Sequence, residues 1–217
     1  MNVRVVNAAL LGALLVPGLA RAQTERLAGR LDERTRAEVV ALVDSARSAR
    51  LPADPLVNKA LEGASKGANG ARIAAAVRAL LSDMGRARAA LGGFPIDAEL
   101  VAGAAALRAG AGTEFLRRLR GDYPSAQLVV PLAVMADLVS RGVPVDAASR
   151  GVLALARAGA RDAELVAFRQ NVERDIALGA PAGAAAAVRV NAAERDLYSQ
   201  AGVDAAASSA PPRPRKP

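Results

Sequence analysis

A single glutamate set between two lysines is where the sequence offers chemistry. In the stretch Pro55 to Gly67, PLVNKALEGASKG, Lys59 and Glu62 are three residues apart, Glu62 and Lys66 are four apart, and Asn58 lies four before Glu62. On a helix these offsets share a face, so one carboxylate sits among two ammonium groups and an amide. Asn58, Lys59, Glu62 and Lys66 therefore read as a polar recognition spot, or as a solvated face whose ion pairs each contribute roughly 0.2 to 0.5 kcal/mol. A third reading makes Glu62 the proton donor of a hydrolase, tuned by Lys59 or Lys66. A glycosidase-like mechanism would want a second carboxylate across a cleft, and Asp54, Asp83 and Asp97 are at hand.

The elements that must hold this cluster follow a frame that recurs. An apolar residue precedes proline at Leu51-Pro52, Phe94-Pro95 and Val143-Pro144, with an aspartate two residues past each proline (Asp54, Asp97, Asp146) and a glycine fifteen past it (Gly67, Gly110, Gly159). The frame predicts an internal three-fold repeat, with units at about 51–93, 94–142 and 143–180. It also supplies a control, because purely structural positions should look alike in every copy. At the offsets of Lys59, Glu62 and Lys66 the other copies carry Ala102 and Gly151, Ala105 and Ala154, and Ala109 and Ala158. The charged cluster is thus extra to the frame.

Apolar residues at helical spacing predict helices throughout. Thr35 with Glu38 reads as a capping box for a helix to Ala49 with the face Val39, Leu42, Val43 and Ala46. Asp54, Asp97 and Asp146 are expected as N-caps, Pro55 as a first helical residue, and the frame glycines as C-caps. Further helices are expected from about Ala71 to Leu91, from Thr113, from Ser125 or Pro131 to Gly142, from Asp162 to Gly179, and from Pro181 to about Leu197. The expectation is an all-α protein, either a HEAT- or armadillo-like solenoid or a compact helical bundle. Residues 23–50 form an N-terminal helical segment, 51–198 the repeat domain with a capping helix at 181–198, and 199–217 a disordered basic, proline-rich tail.

Composition narrows the chemistry. The 217 residues contain no histidine and no cysteine, which removes disulfides, thiolate nucleophiles, metal ligation by these residues and the usual base near neutral pH. No metal and no cofactor is expected. Gly67-x-x-Gly70 lacks the strand and third glycine of a dinucleotide site, and Ser65-Lys66 does not make a Ser-x-x-Lys motif. The net charge is +8. Its outlying contributors, Arg4, Arg21, Arg213, Arg215 and Lys216, lie near the termini, and the few aromatics are scattered, which excludes an ordinary nucleic-acid surface.

Residues 1–22 carry Arg4, an apolar run from Val5 to Leu19, and Ala20-x-Ala22. That pattern predicts a cleaved secretory signal peptide, hence an exported protein, periplasmic or extracellular, with no transmembrane segment after cleavage. The segment Pro55 to Gly67, together with SRGVPVDAA at Ser140 to Ala148, resembles exported all-helical proteins of GC-rich bacteria to which no activity attaches. The resemblance implies an exported helical protein and assigns no site. The function expected is a non-catalytic binding or scaffolding protein of the cell envelope, its partner an envelope protein or polymer, with a tail able to touch anionic surfaces. The alternatives are a hydrolase using Glu62 as acid and a periplasmic lipid carrier.

Overall fold

Alanine, leucine and arginine, all good helix formers, supply most of the chain between turns marked by glycine and proline. The structure, a computed structural model, describes residues 25–124 and 127–208, with side chains described to residue 200. The expected leader at 1–22, the expected cap Ser125 and residues 209–217 of the expected tail lie outside these residues. Among the described residues every regular element is an α-helix: α1 (Glu33–Ser48), α2 (Asp54–Ser65), α3 (Gly70–Leu91), α4 (Asp97–Arg108), α5 (Thr113–Asp122), α6 (Val129–Ser140), α7 (Val145–Arg157), α8 (Asp162–Ala177) and α9 (Ala182–Ser208). Among them no helix is long and apolar enough to cross a membrane.

Extensive packing joins only helices one or two positions apart along the chain. α1 meets α2 and α3, α2 meets α3, and α3 meets α4 and α5; α4 meets α6, α5 meets α7, α6 meets α7 and α8, and α9 closes on α7 and α8. This is the contact pattern of a solenoid-like array, in which each unit hides one face on its neighbours. The apolar stripes feed two clusters in series. Val39, Val43, Leu56, Val57, Ala60, Ile73, Val77, Met84 and Leu100 form the first. Leu91, Leu107, Leu116, Leu132, Met135, Val152, Leu155, Leu165 and Phe168 belong to the second. α3 contributes Met84 to one and Ala87 to the other, so it carries packing from the first half of the array into the second.

Small side chains set how closely the helices cross. A Cβ on Gly63 of α2 would lie 2.8 Å from Ile73 Cγ1 of α3, and one on Gly151 of α7 would lie 2.8 Å from Val190 Cγ2 of α9. Such approaches leave no room for another methyl.

The helix ends confirm the glycines and correct the aspartates. Gly67, Gly110 and Gly159 have φ of +68°, +105° and +79°. After each, an alanine amide reaches back to close the helix, Ala68 to Gly63 O at 3.0 Å, Ala111 to Ala106 O at 3.0 Å and Ala160 to Leu155 O at 2.9 Å, the double-bonded ending that favours glycine. Gly142 and Gly179 lie outside the frame yet also have positive φ, with Val143 and Ala180 making the same bond. The matching glycines are therefore a general helix-ending device. The second helices of the expected repeat units differ in length, 22 residues in α3, 10 in α5 and 16 in α8, and only the middle unit has a third helix, α6.

Asp54 and Asp97 are the first residues inside α2 and α4, and Asp146 is the second inside α7; the N-caps are Ala53, Ile96 and Pro144. Ile96 and Pro144 take the extended backbone of a cap, at ψ 159° and 138°. The aspartates behind them act on the positive end of the helix dipole. Where the sequence reads DAEL, at 97–100 and at 162–165, the glutamate reaches back instead. Glu99 Oε2 accepts from Ile96 N at 3.2 Å and Glu164 Oε2 from Arg161 N at 2.9 Å, so Asp162 does not cap α8 either. Thr113 likewise follows its cap, Gly112. Pro55 falls at the second helical position, and Pro131 sits in the first turn of α6, where it lacks no intrahelical donor.

At α1 the cap is Asp32, whose carboxylate accepts from Thr35 N at 2.9 Å and Thr35 Oγ1 at 2.6 Å. Thr35 is therefore the third residue of the helix rather than its cap. Gly70, at the start of α3, lies against this pair so tightly that a Cβ there would fall on Thr35 Oγ1. At the far end α9 continues past Leu197 to Ser208. The residues from Ser199 are alanine-rich and hold no proline before Pro211, so helix propensity carries the chain on where apolar periodicity stops.

Candidate functional site

The polar cluster of α2 is assembled by two local rules. Helical spacing puts Lys59, Glu62 and Lys66 on one face, and the tight crossing at Gly63 draws α3 alongside. Lys59 Nζ lies 2.9 Å from Glu62 Oε2 and Lys66 Nζ 2.5 Å from Glu62 Oε1, so each carboxylate oxygen has its own ammonium. Asn58 is not part of this set. Its Oδ1 accepts from Arg26 Nη2 at 2.8 Å, and Arg26 also stands 3.8 Å from Asp54. The i, i+4 spacing from Asn58 to Glu62 is right, but Arg26, in the segment ahead of α1, claims the amide.

Lys59, Glu62 and Lys66 line a groove of about 390 Å³ between α2 and α3, whose other walls are Gly63, Gly67, Ala68, Arg72, Ile73 and Ala76. Arg72 comes from the first turn of α3, where Asn69 caps the helix by accepting from Arg72 N at 2.9 Å. Reading α2 alone missed it. Its signal is the Asn69-Gly70 pair, which ends one segment and starts α3 within six residues of Lys66. Three cations thus face one carboxylate above a small apolar floor.

The hydrogen bond from Lys66 and then that from Lys59 hold the Glu62 carboxyl down, from an ordinary 4.5 to about 2. Glu62 is therefore held in its ionised form at neutral pH, the opposite direction from the raised value that a general acid needs. Among the described residues lining the groove it is also the only carboxylate. Because the folded value is depressed, the pairing contributes in full above the ordinary glutamate range and is lost as pH falls toward 2. A carbon-detected NMR titration should give Glu62 a midpoint near 2; a midpoint above 4 would show that the two lysines do not hold it.

A second charged pair lies deeper. Glu99 of α4 is 4% exposed. Its Oε1 accepts from Arg120 Nη2 of α5 at 2.8 Å and from Leu128 N, ahead of α6, at 2.8 Å. The recurring frame carried the signal for Glu99: four residues past each proline stand Leu56, Glu99 and Ala148, and all three positions are buried. Beside it opens a hollow of about 470 Å³ lined by Leu91 to Pro95, Glu99, Arg120, Pro124 and Gln127. Phe94 stands fully exposed at its rim.

No protein-family model, no curated protein and no solved structure matches the chain. The chemistry of the two places is therefore read from their geometry. The Glu99–Arg120 pair ties α4, α5 and the approach to α6 together and has its charges spent on each other. The α2–α3 groove keeps an excess of positive charge where a partner can reach it.

Proposed function

We propose that the protein is a non-catalytic binding or scaffolding module, exported to the cell envelope, with the α2–α3 groove as its recognition surface. The observation that supports this most directly is the concentration of Lys59, Glu62, Lys66 and Arg72 in one groove of an otherwise alanine-rich array. Solenoid-like arrays present such grooves between successive helices as binding surfaces. Export rests on the leader pattern of residues 1–22 and on the resemblance carried by Pro55 to Gly67 and Ser140 to Ala148.

The test is a steric one. Ala76 lines the groove and is only partly buried, so Ala76→Trp fills the space without touching a charge. In-cell cross-linking with wild type and Ala76→Trp, both checked for equal melting temperature, should lose the wild-type partner at least tenfold in the variant. Equal capture by both proteins would sink the groove as the recognition surface.

A further inference from the structure

We propose that the α2–α3 groove receives an acidic peptide segment of a partner protein, and that Glu62 occupies the carboxylate position until the partner displaces it. The inference rests on the groove being the recognition surface and adds what is recognised and what stands in its way.

The charge count is the first argument. Lys59, Lys66 and Arg72 meet a single carboxylate in the groove, so two positive charges remain uncompensated within it. The second is the way Glu62 is held. Each of its oxygens takes a separate ammonium, at 2.9 Å and 2.5 Å, which is how a ligand carboxylate would be held in the same place. Glu62 is half exposed and on a flexible side chain, with 43% of the side chain open to solvent. It can therefore swing into water at small cost when a competing carboxylate arrives. The third is the floor. Ile73 and Ala76 offer an apolar strip beside the cations, which suits the aliphatic stem or neighbouring apolar side chain of a peptide. A free inorganic anion would gain nothing from it. A volume of about 390 Å³ takes two or three residues of such a segment.

The probe is an acetylated, amidated peptide of sequence Leu-Glu-Glu-Leu-Glu-Glu, titrated into ¹⁵N-labelled protein, with tripolyphosphate in a parallel arm. Wild type should bind the peptide weakly, with shifts confined to α2 and the first turns of α3. Glu62→Gln removes the internal competitor and should tighten peptide binding about fivefold, the loss of two exposed ion pairs, while Lys66→Ala in the Glu62→Gln background should reverse most of that gain. Glu62→Ala serves as a second variant, since both changes are at an exposed site and circular dichroism will report the fold. Unchanged or weaker peptide binding in both Glu62 variants would overturn the displacement. Binding of tripolyphosphate with no response to the peptide would overturn the peptide as ligand. Either failure leaves the Ala76→Trp result standing, so the two readings are separable.

Discussion

Replacing Glu99 by alanine should cost about 3 kcal/mol of unfolding free energy, measured by urea denaturation. Glu99 is 4% exposed and accepts hydrogen bonds from Arg120 Nη2, Leu128 N and Ile96 N. Removing it takes the carboxylate from a guanidinium that is only 24% exposed and that keeps its bond to Tyr123 O, and leaves the Leu128 amide in a buried place without its acceptor. Breaking a buried pair from one side typically costs about 3 to 5 kcal/mol, and the partial exposure of Arg120 puts this case at the lower end. The double variant Glu99→Leu, Arg120→Met separates the two losses. An apolar pair of similar volume removes the part-buried charge along with its carboxylate, so stability should return in part, leaving a deficit of about 1 to 3 kcal/mol for the unsatisfied Leu128 N–H. A single variant no worse than the double would show that the charge was never desolvated.

Phe168→Ala should be as damaging, at about 3 to 5 kcal/mol, and should lower the melting temperature by about 10 °C. Phe168 is 1% exposed, and a Cβ on Gly151 would lie 3.3 Å from its ring. Around it the core is made of alanine, valine and leucine on helices already in close contact, with little freedom to collapse into the space left. Phe94→Ala is the matched control. The residue type is the same, but Phe94 is fully exposed, so its removal should change stability by no more than about 0.5 kcal/mol. If Phe168→Ala cost as little as Phe94→Ala, α7, α8 and α9 would not pack as described.

What could be read in advance divides along physical lines. The apolar stripes were legible because helical period is a local property. Val39, Val43, Ile73, Met84, Leu116, Leu132, Val152 and Phe168 are buried as their spacing requires. The glycine endings were legible for the same reason. The caps were not, because the same Asp two residues past a proline can be the cap or lie just inside it, and only the backbone of Ile96 or Pro144 decides. The groove was half legible. Lys59, Glu62 and Lys66 share one helix, so spacing sufficed, whereas Arg72 joins them only because α3 turns back alongside α2 at Gly63. Asn58 was lost to Arg26, 32 residues away in sequence, a contact that no helical offset can show. Glu99 differs from Leu56 and Ala148 at a shared offset, the same sign that singled out Glu62, but an acid beside an aspartate near a helix start looks like ordinary end-of-helix charge.

The chain of near-neighbour packing, in which no extensive contact spans more than two helices, also sets how the molecule bears load. Among the described residues the first helix and the last share no extensive packing with each other. Tension applied between the two ends would therefore pass through each interface in turn, as through links, and the weakest would open first. With α3 spanning both apolar clusters, it is the link whose failure divides the chain into two slack halves. An array pulled from its two ends would pass the load along its own length and yield stepwise rather than shatter.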